Sequence, residues 1–187
     1  MTNRSWIPVA LAVTVVAALA AAPARAQESY IGGTYSWTNL DVSGSTTSNP
    51  TGAGYKLFIG RDSQRLMGIE AGYTDFGEYK KTLSSTDGST TATFNSTGWD
   101  LALTARIPLG RIFGIYGKLG YLFWTSDLSE AIGDLASGKD SGSDVFYAAG
   151  LLINLTPGIA LLAEWERDSL GNNYTVDMVN AGLRITL

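Results

Sequence analysis

Eight segments of this 187-residue chain alternate residue by residue between apolar and polar side chains. That period belongs to a β-strand with two different faces, and a helix does not produce it. The segments predict an all-β fold in a single domain. The predicted strands are 28–39, 53–61, 66–76, 96–107, 112–125, 143–154, 159–168 and 174–187.

The connections between these strands alternate in length, which predicts an up-and-down meander. Long Ser-, Thr-, Gly- and Asp-rich stretches follow strands one, three and five, and tight links follow strands two, four and six. The predicted long loops are 40–52, 77–95 and 126–142, and the predicted links are 62–65, 108–111 and 155–158. If both termini lie in the periplasm, the links lie there too and the long loops face outside.

The odd-numbered residues of each strand form an apolar face, which includes Leu101, Leu119 and Leu183. The even-numbered residues are rich in glycine and carry the charges of the strands. The candidate charge network of the lumen is Lys56, Glu70, Asp100, Arg106, Lys118, Glu164, Glu166 and Arg184.

The chemistry of the two faces determines the class of barrel. A water-soluble barrel would have its apolar face inside, so its charged face would lie outside, and a lipocalin-like periplasmic carrier is the example of that alternative. If instead the charges lie inside, the outer face is an apolar belt too large for a protein in water. In lipid that belt is stable, and barrel closure pairs every backbone group. The pattern favours an eight-stranded antiparallel up-and-down transmembrane β-barrel.

Aromatic residues near the loop ends of seven strands indicate the depth of the barrel in a bilayer. All of them fall on the apolar face, where amphipathic rings lie at the level of the lipid headgroups. The predicted aromatic girdle is Trp37, Tyr55, Tyr73, Trp99, Phe123, Tyr147 and Trp165.

Residues 1–26 have the features of a cleaved signal peptide. Arg4 precedes an apolar, alanine-rich run, and Ala24-Arg25-Ala26 places small residues at the positions that a signal peptidase reads. The alternative is an N-terminal anchor, but the apolar run of about 17 residues is short for one. We therefore expect an exported chain whose barrel domain spans residues 27–187, located in the outer membrane of a Gram-negative bacterium.

The residue types that are missing exclude several functions. The chain has no cysteine and no histidine, so disulfides, thiolate chemistry and the commonest general base and metal ligand are absent. Removal of Arg4 and Arg25 would leave 11 basic and 17 acidic residues, a net charge of −6, which argues against nucleic acid as a partner. We expect no enzymatic activity, no cofactor and no metal.

Several short motifs resemble the OmpA-like transmembrane barrels. Gly68 to Tyr73 followed by Asp75-Phe76-Gly77 resembles their third strand, 117–121 the fifth, 163–165 the seventh and 180–185 the closing strand. The resemblance covers the barrel domain only, and the separate peptidoglycan-binding domain of that family is not expected. It implies that Glu70, Lys118 and Glu164 belong to an interior ionic network. Leu152 and Leu162 stand where a representative of that family carries charged residues.

Three functions remain open on the sequence alone. The first is a structural or surface-exposed outer-membrane barrel with a filled lumen, and the second is a porin-like channel of low conductance. The third is the lipocalin-like carrier. For the first two, the expected partners are outer-membrane lipid, lipopolysaccharide and the barrel assembly machinery, with extracellular partners at the three long loops.

Overall fold

The computed structural model describes residues 27–42, 51–63, 66–85, 88–130, 138–170 and 174–187. The predicted signal peptide lies outside these ranges. No helix in them has the length and hydropathy needed to cross a membrane.

Eight antiparallel strands close into one barrel in sequence order, and β1 pairs with β8. This confirms the predicted fold class. The strands are β1 Gln27–Val42, β2 Thr51–Ser63, β3 Met67–Ser85, β4 Gly88–Leu109, β5 Phe113–Glu130, β6 Gly138–Thr156, β7 Ile159–Leu170 and β8 Tyr174–Thr186. We call the end with the short links between β2 and β3, β4 and β5, and β6 and β7 the turn end, and the opposite end the loop end.

Two of the predicted long loops were wrong in extent. β3 and β4 stay paired as far as Ser85 and Gly88, so most of 77–95 is a hairpin. Residues 126–142 likewise contain the ends of β5 and β6, which remain paired as far as Leu128 and Gly138. These ends contain many Ser and Thr residues and lie beyond the apolar segments of the strands. Their backbone pairing therefore continues without the apolar face that marks a strand in the sequence.

The β3 strand bends where it leaves the belt. Its register with β4 shifts between Asp75 and Glu78, and Gly77 in that bulge has a φ of 82°. A Cβ at Gly77 would collide with the backbone oxygen of Ala53 on β2, so only glycine fits here.

The apolar face of the barrel points outward and the charged face inward. Leu119 is 59% exposed, and Leu101 and Leu183 are exposed as well, whereas Glu70 is 3% and Lys118 is 5% exposed. A lipocalin-like carrier requires the opposite arrangement, so this sidedness does not favour the soluble alternative.

Candidate functional site

The lumen contains a central ionic layer between two apolar clusters. The cluster at the loop end consists of Phe76, Ala102, Leu122, Trp124, Phe146, Val176 and Met178. The cluster at the turn end consists of Tyr30, Phe58, Tyr116, Leu152, Ala160 and Leu162. The even-numbered positions of several strands supply both clusters, because side chains at alternate positions share one face of the sheet.

Lys118 is the central cation of one half of the ionic layer. Its Nζ lies 2.7 Å from Oε1 of Glu70 and 2.8 Å from Oε2 of Glu164. The hydroxyl of Tyr30 donates to Glu70 at 3.0 Å, and that of Tyr116 donates to Glu164 at 2.8 Å. These bonds tie β1, β3, β5 and β7 together across the lumen.

Lys56 holds the other half. Its Nζ donates to both carboxylate oxygens of Glu166, at 2.8 and 2.9 Å, and lies 3.1 Å from Oδ2 of Asp100. The ring of Phe146 has its centroid 4.8 Å from the same Nζ. Such contacts offset part of the cost of removing a charge from water.

Glu164 and Glu166 lie on one face, two residues apart, but bind different lysines. Glu164 also accepts a 3.0 Å hydrogen bond from the side-chain amide of Asn180. Each carboxylate is at most 4% exposed. Paired carboxylates can catalyse acid–base hydrolysis of sugars. A sugar cannot reach these two carboxylates, because both are buried in the lumen.

Asp62 was missed by the sequence analysis, which placed it in a tight link. β2 continues through Ser63, so Asp62 points into the lumen and is 5% exposed. It accepts a hydrogen bond from Nη2 of Arg184 and lies 3.4 Å from Nη2 of Arg106. The guanidinium of Arg184 also stacks on the ring of Tyr30, 3.6 Å from its centroid.

Asp168 was also missed, although its even number and its place in a predicted strand were sufficient signals. It is fully buried, and neither carboxylate oxygen has a hydrogen-bond partner among the described residues. With Asp62 and Asp168 included, the four predicted acids become six, against four bases. Acids therefore outnumber bases among the described charged residues of the lumen.

The structure brings all eight predicted lumen charges into ion pairs. Seven are buried, and Arg106 is partly exposed toward the turn end.

The structure places the seven predicted girdle aromatics on the outer face, where Tyr73 is half-buried and the other six are exposed. Neighbouring members touch, with ring centroids 4.8 Å apart for Tyr73 and Trp99 and 5.7 Å apart for Tyr147 and Trp165. Their position at lipid headgroups stays a prediction.

Several glycines of the lumen lie against aromatic rings. A Cβ at Gly60 would overlap the ring of Tyr30, and one at Gly150 would lie 2.7 Å from Cζ of Tyr116. Gly72 instead faces the carboxylate of Asp100. Small residues are therefore needed beside the large ones in so narrow a barrel.

Comparisons with known proteins agree with this geometry. The family model described as "Outer membrane protein beta-barrel domain" matches residues 9–185. Outer membrane protein A of Yersinia pseudotuberculosis is 29% identical, and the alignment covers 93% of this chain and 51% of that protein. The corresponding protein of Salmonella typhi is 26% identical with the same coverage. The chain thus spans about half the length of the curated relatives it matches.

Solved structures of bacterial surface barrels share the fold. The outer membrane protein OprG of Pseudomonas aeruginosa aligns with a TM-score of 0.64 and 15% identity, covering 87% of this chain and 97% of that one. Ail, the attachment invasion locus protein of Yersinia pestis, aligns with a TM-score of 0.57 and 20% identity, covering 86% and 100%. That Ail structure is a complex with the heparin analogue sucrose octasulfate.

Proposed function

This chain belongs to the outer membrane protein β-barrel family, and from that premise we propose a structural and surface-exposed role for it, without enzymatic activity. Its location is the bacterial outer membrane. The observation that carries the proposed role is the filled lumen, in which an ion-paired layer lies between two apolar clusters.

The described strand ends at the loop end support a contact role. The extension of β3 from Glu78 to Ser85 would run about 25 Å along the strand at the usual rise per residue. It pairs with β4, which pairs in turn with β5 as far as Glu130. We propose that this wall, with the segments 40–52, 77–95 and 126–142, faces outside the cell and contacts extracellular molecules. The turn end then faces the periplasm.

The proposed surroundings of the belt are outer-membrane lipid and lipopolysaccharide. The outward leucines support the lipid contact, and the aromatic residues at one end of the belt support an interface with headgroups. We also propose that the barrel assembly machinery inserts the chain, as expected for a barrel of this family.

Conductance in planar bilayers tests the filled lumen. A lumen closed by two apolar clusters passes little current, and we expect small, rare openings from the purified protein. Large and stable pores would overturn the structural role. Heat-modifiable migration on gels provides the control that the barrel in the experiment is folded.

A channel of low conductance is the second candidate, and the polar layer through the centre of the lumen favours it. Glu70→Gln or Lys118→Met should then change the conductance or the ion selectivity, because these two charges face each other inside the lumen. Unchanged current in both variants would remove the channel hypothesis.

A further inference from the structure

A cavity of about 420 Å³ opens at the turn end of the lumen. Arg106, Arg111, Arg184 and Glu28 line it, together with apolar residues that include Leu152 and Ala160. This volume lies within the range of small-molecule sites in proteins. The proposed surface role does not use this cavity.

The arginines of this cavity are less completely paired than the lysines of the ionic layer. Lys56 and Lys118 each lie within 3.1 Å of two carboxylates. Arg106 and Arg184 instead share one carboxylate, that of Asp62, and Arg106 approaches it no closer than 3.4 Å. Arg111 has no ion pair within the described ranges. Donors of Arg106 and Arg111 therefore remain for a ligand.

The inner end of the cavity is narrow, and Arg106, Leu152 and Arg184 separate it from a smaller cavity nearer the centre. Leu152 is 2% and Ala160 is 7% exposed, and both belong to the apolar cluster at the turn end. The next cavity toward the centre has a volume of about 10 Å³, room for a single water molecule. Beyond it the ionic layer is acidic, so an anion is repelled from moving further.

We propose that this cavity binds a small oxyanion, a carboxylate or a phosphate, that carries a short apolar group. The planar guanidinium groups of Arg106 and Arg111 pair with the oxyanion, for which their fork geometry is suited. The apolar group lies against Leu152 and Ala160. The eight-stranded backbone ladder separates the cavity from lipid, so the ligand enters through the aqueous mouth.

Titration calorimetry on the folded barrel in zwitterionic micelles tests this site, with butyl phosphate and butyrate as probes. We expect both to bind, inorganic phosphate to bind more weakly, and butyltrimethylammonium not to bind. Arg106→Gln and Arg111→Gln should each weaken the butyl phosphate complex by about tenfold, as loss of a charge-assisted hydrogen bond does. Leu152→Glu should weaken it further, because it places a carboxylate at the inner end.

Arg61→Gln is the matched control, because Arg61 lies near the same end on the outer face and does not line the cavity. If Arg61→Gln weakens binding as much as Arg106→Gln does, the proposal fails, since net charge alone then explains the affinity. It also fails if no probe binds at millimolar concentration, or if the ammonium probe binds as well as the phosphate. Nanodiscs with phosphatidylglycerol identify the source of the anion. Butyl phosphate binding that stays weaker there than in zwitterionic discs at high salt, where surface potential is screened, indicates a lipid headgroup that reaches the aqueous mouth, and equal binding indicates a soluble anion.

Discussion

Lys56 and Glu166 form a two-pronged ion pair across the lumen, although 110 positions separate them in the chain. The Nζ of Lys56 reaches both carboxylate oxygens, and each side chain is 1% exposed. The pair joins β2 to β7, which are not neighbours in the sheet. It therefore couples parts of the barrel that the backbone ladder does not connect directly.

Lys56→Met should destabilise the barrel strongly. It leaves Glu166 and Asp100 buried without their cation, and breaking a buried pair costs about 3–5 kcal/mol. The free energy of unfolding by urea in detergent measures the loss. Arg167→Gln is the control, because Arg167 pairs with Asp177 at a much more exposed site, and we expect little change there. Equal effects of the two substitutions would contradict the importance of the buried layer.

The positions of the glycines predict that a Gly→Ala substitution destabilises the barrel on the inner face but not on the outer face. Gly60→Ala places a Cβ in steric overlap with Cζ of Tyr30, and overpacking of this kind costs about 1–3 kcal/mol. Gly117→Ala on the outer face meets only a backbone oxygen at 3.5 Å, so its stability should be unchanged or slightly increased. Thermal unfolding of both variants, read from gel migration, tests this. A destabilised Gly117→Ala with an unaffected Gly60→Ala would contradict the packing.

The positions of the strands, and which of their residues face outward, could be predicted from the sequence because each side chain has only two possible directions. Each residue of a strand points either to lipid or to the lumen, so one apolar face determines the position of every alternate side chain. Leu119 and Lys118 are therefore on the predicted sides of the barrel. The same rule placed Glu70, Lys118 and Glu164 in one lumen, although it does not say which of these side chains form ion pairs.

Strand ends and individual ion pairs could not be predicted in this way. Asp62 was assigned to a link because no apolar neighbour marks the end of β2, and the pairing beyond Gly77 carries no alternation to detect. Which carboxylate meets which lysine depends on the relative heights of strands that face each other across the lumen without pairing, such as β2 and β7. Alternation within one strand contains no information about those heights.

Two buried aspartates should respond to the same substitution with opposite signs. Asp168 has no hydrogen-bond partner among the described residues, so Asp168→Asn removes the cost of an unpaired buried charge. We expect it to raise the free energy of unfolding at neutral pH, because a neutral amide costs less to bury than an ionised carboxylate. Asp62→Asn should lower it, because two arginines then lose their carboxylate. Urea titrations measure the free energy of unfolding of both variants. If Asp168→Asn is less stable than the unsubstituted protein, the carboxylate of Asp168 makes a favourable interaction and the prediction is wrong.

The outward apolar belt predicts that the cost in folding free energy of a charged substitution depends on its depth in the bilayer. Leu119 is 59% exposed, pairs with Leu103 and lies four positions before Phe123, the girdle residue of its own strand, so it lies within the apolar belt. Leu119→Arg should cost about 2–4 kcal/mol of folding free energy in bilayers, whereas Ser143→Arg, an outward position nearer the loop end, should cost about 0–1 kcal/mol. Refolding into vesicles of defined lipid, with urea titration, measures both. If Leu119→Arg is tolerated as well as Ser143→Arg, the outer face does not contact acyl chains at that depth.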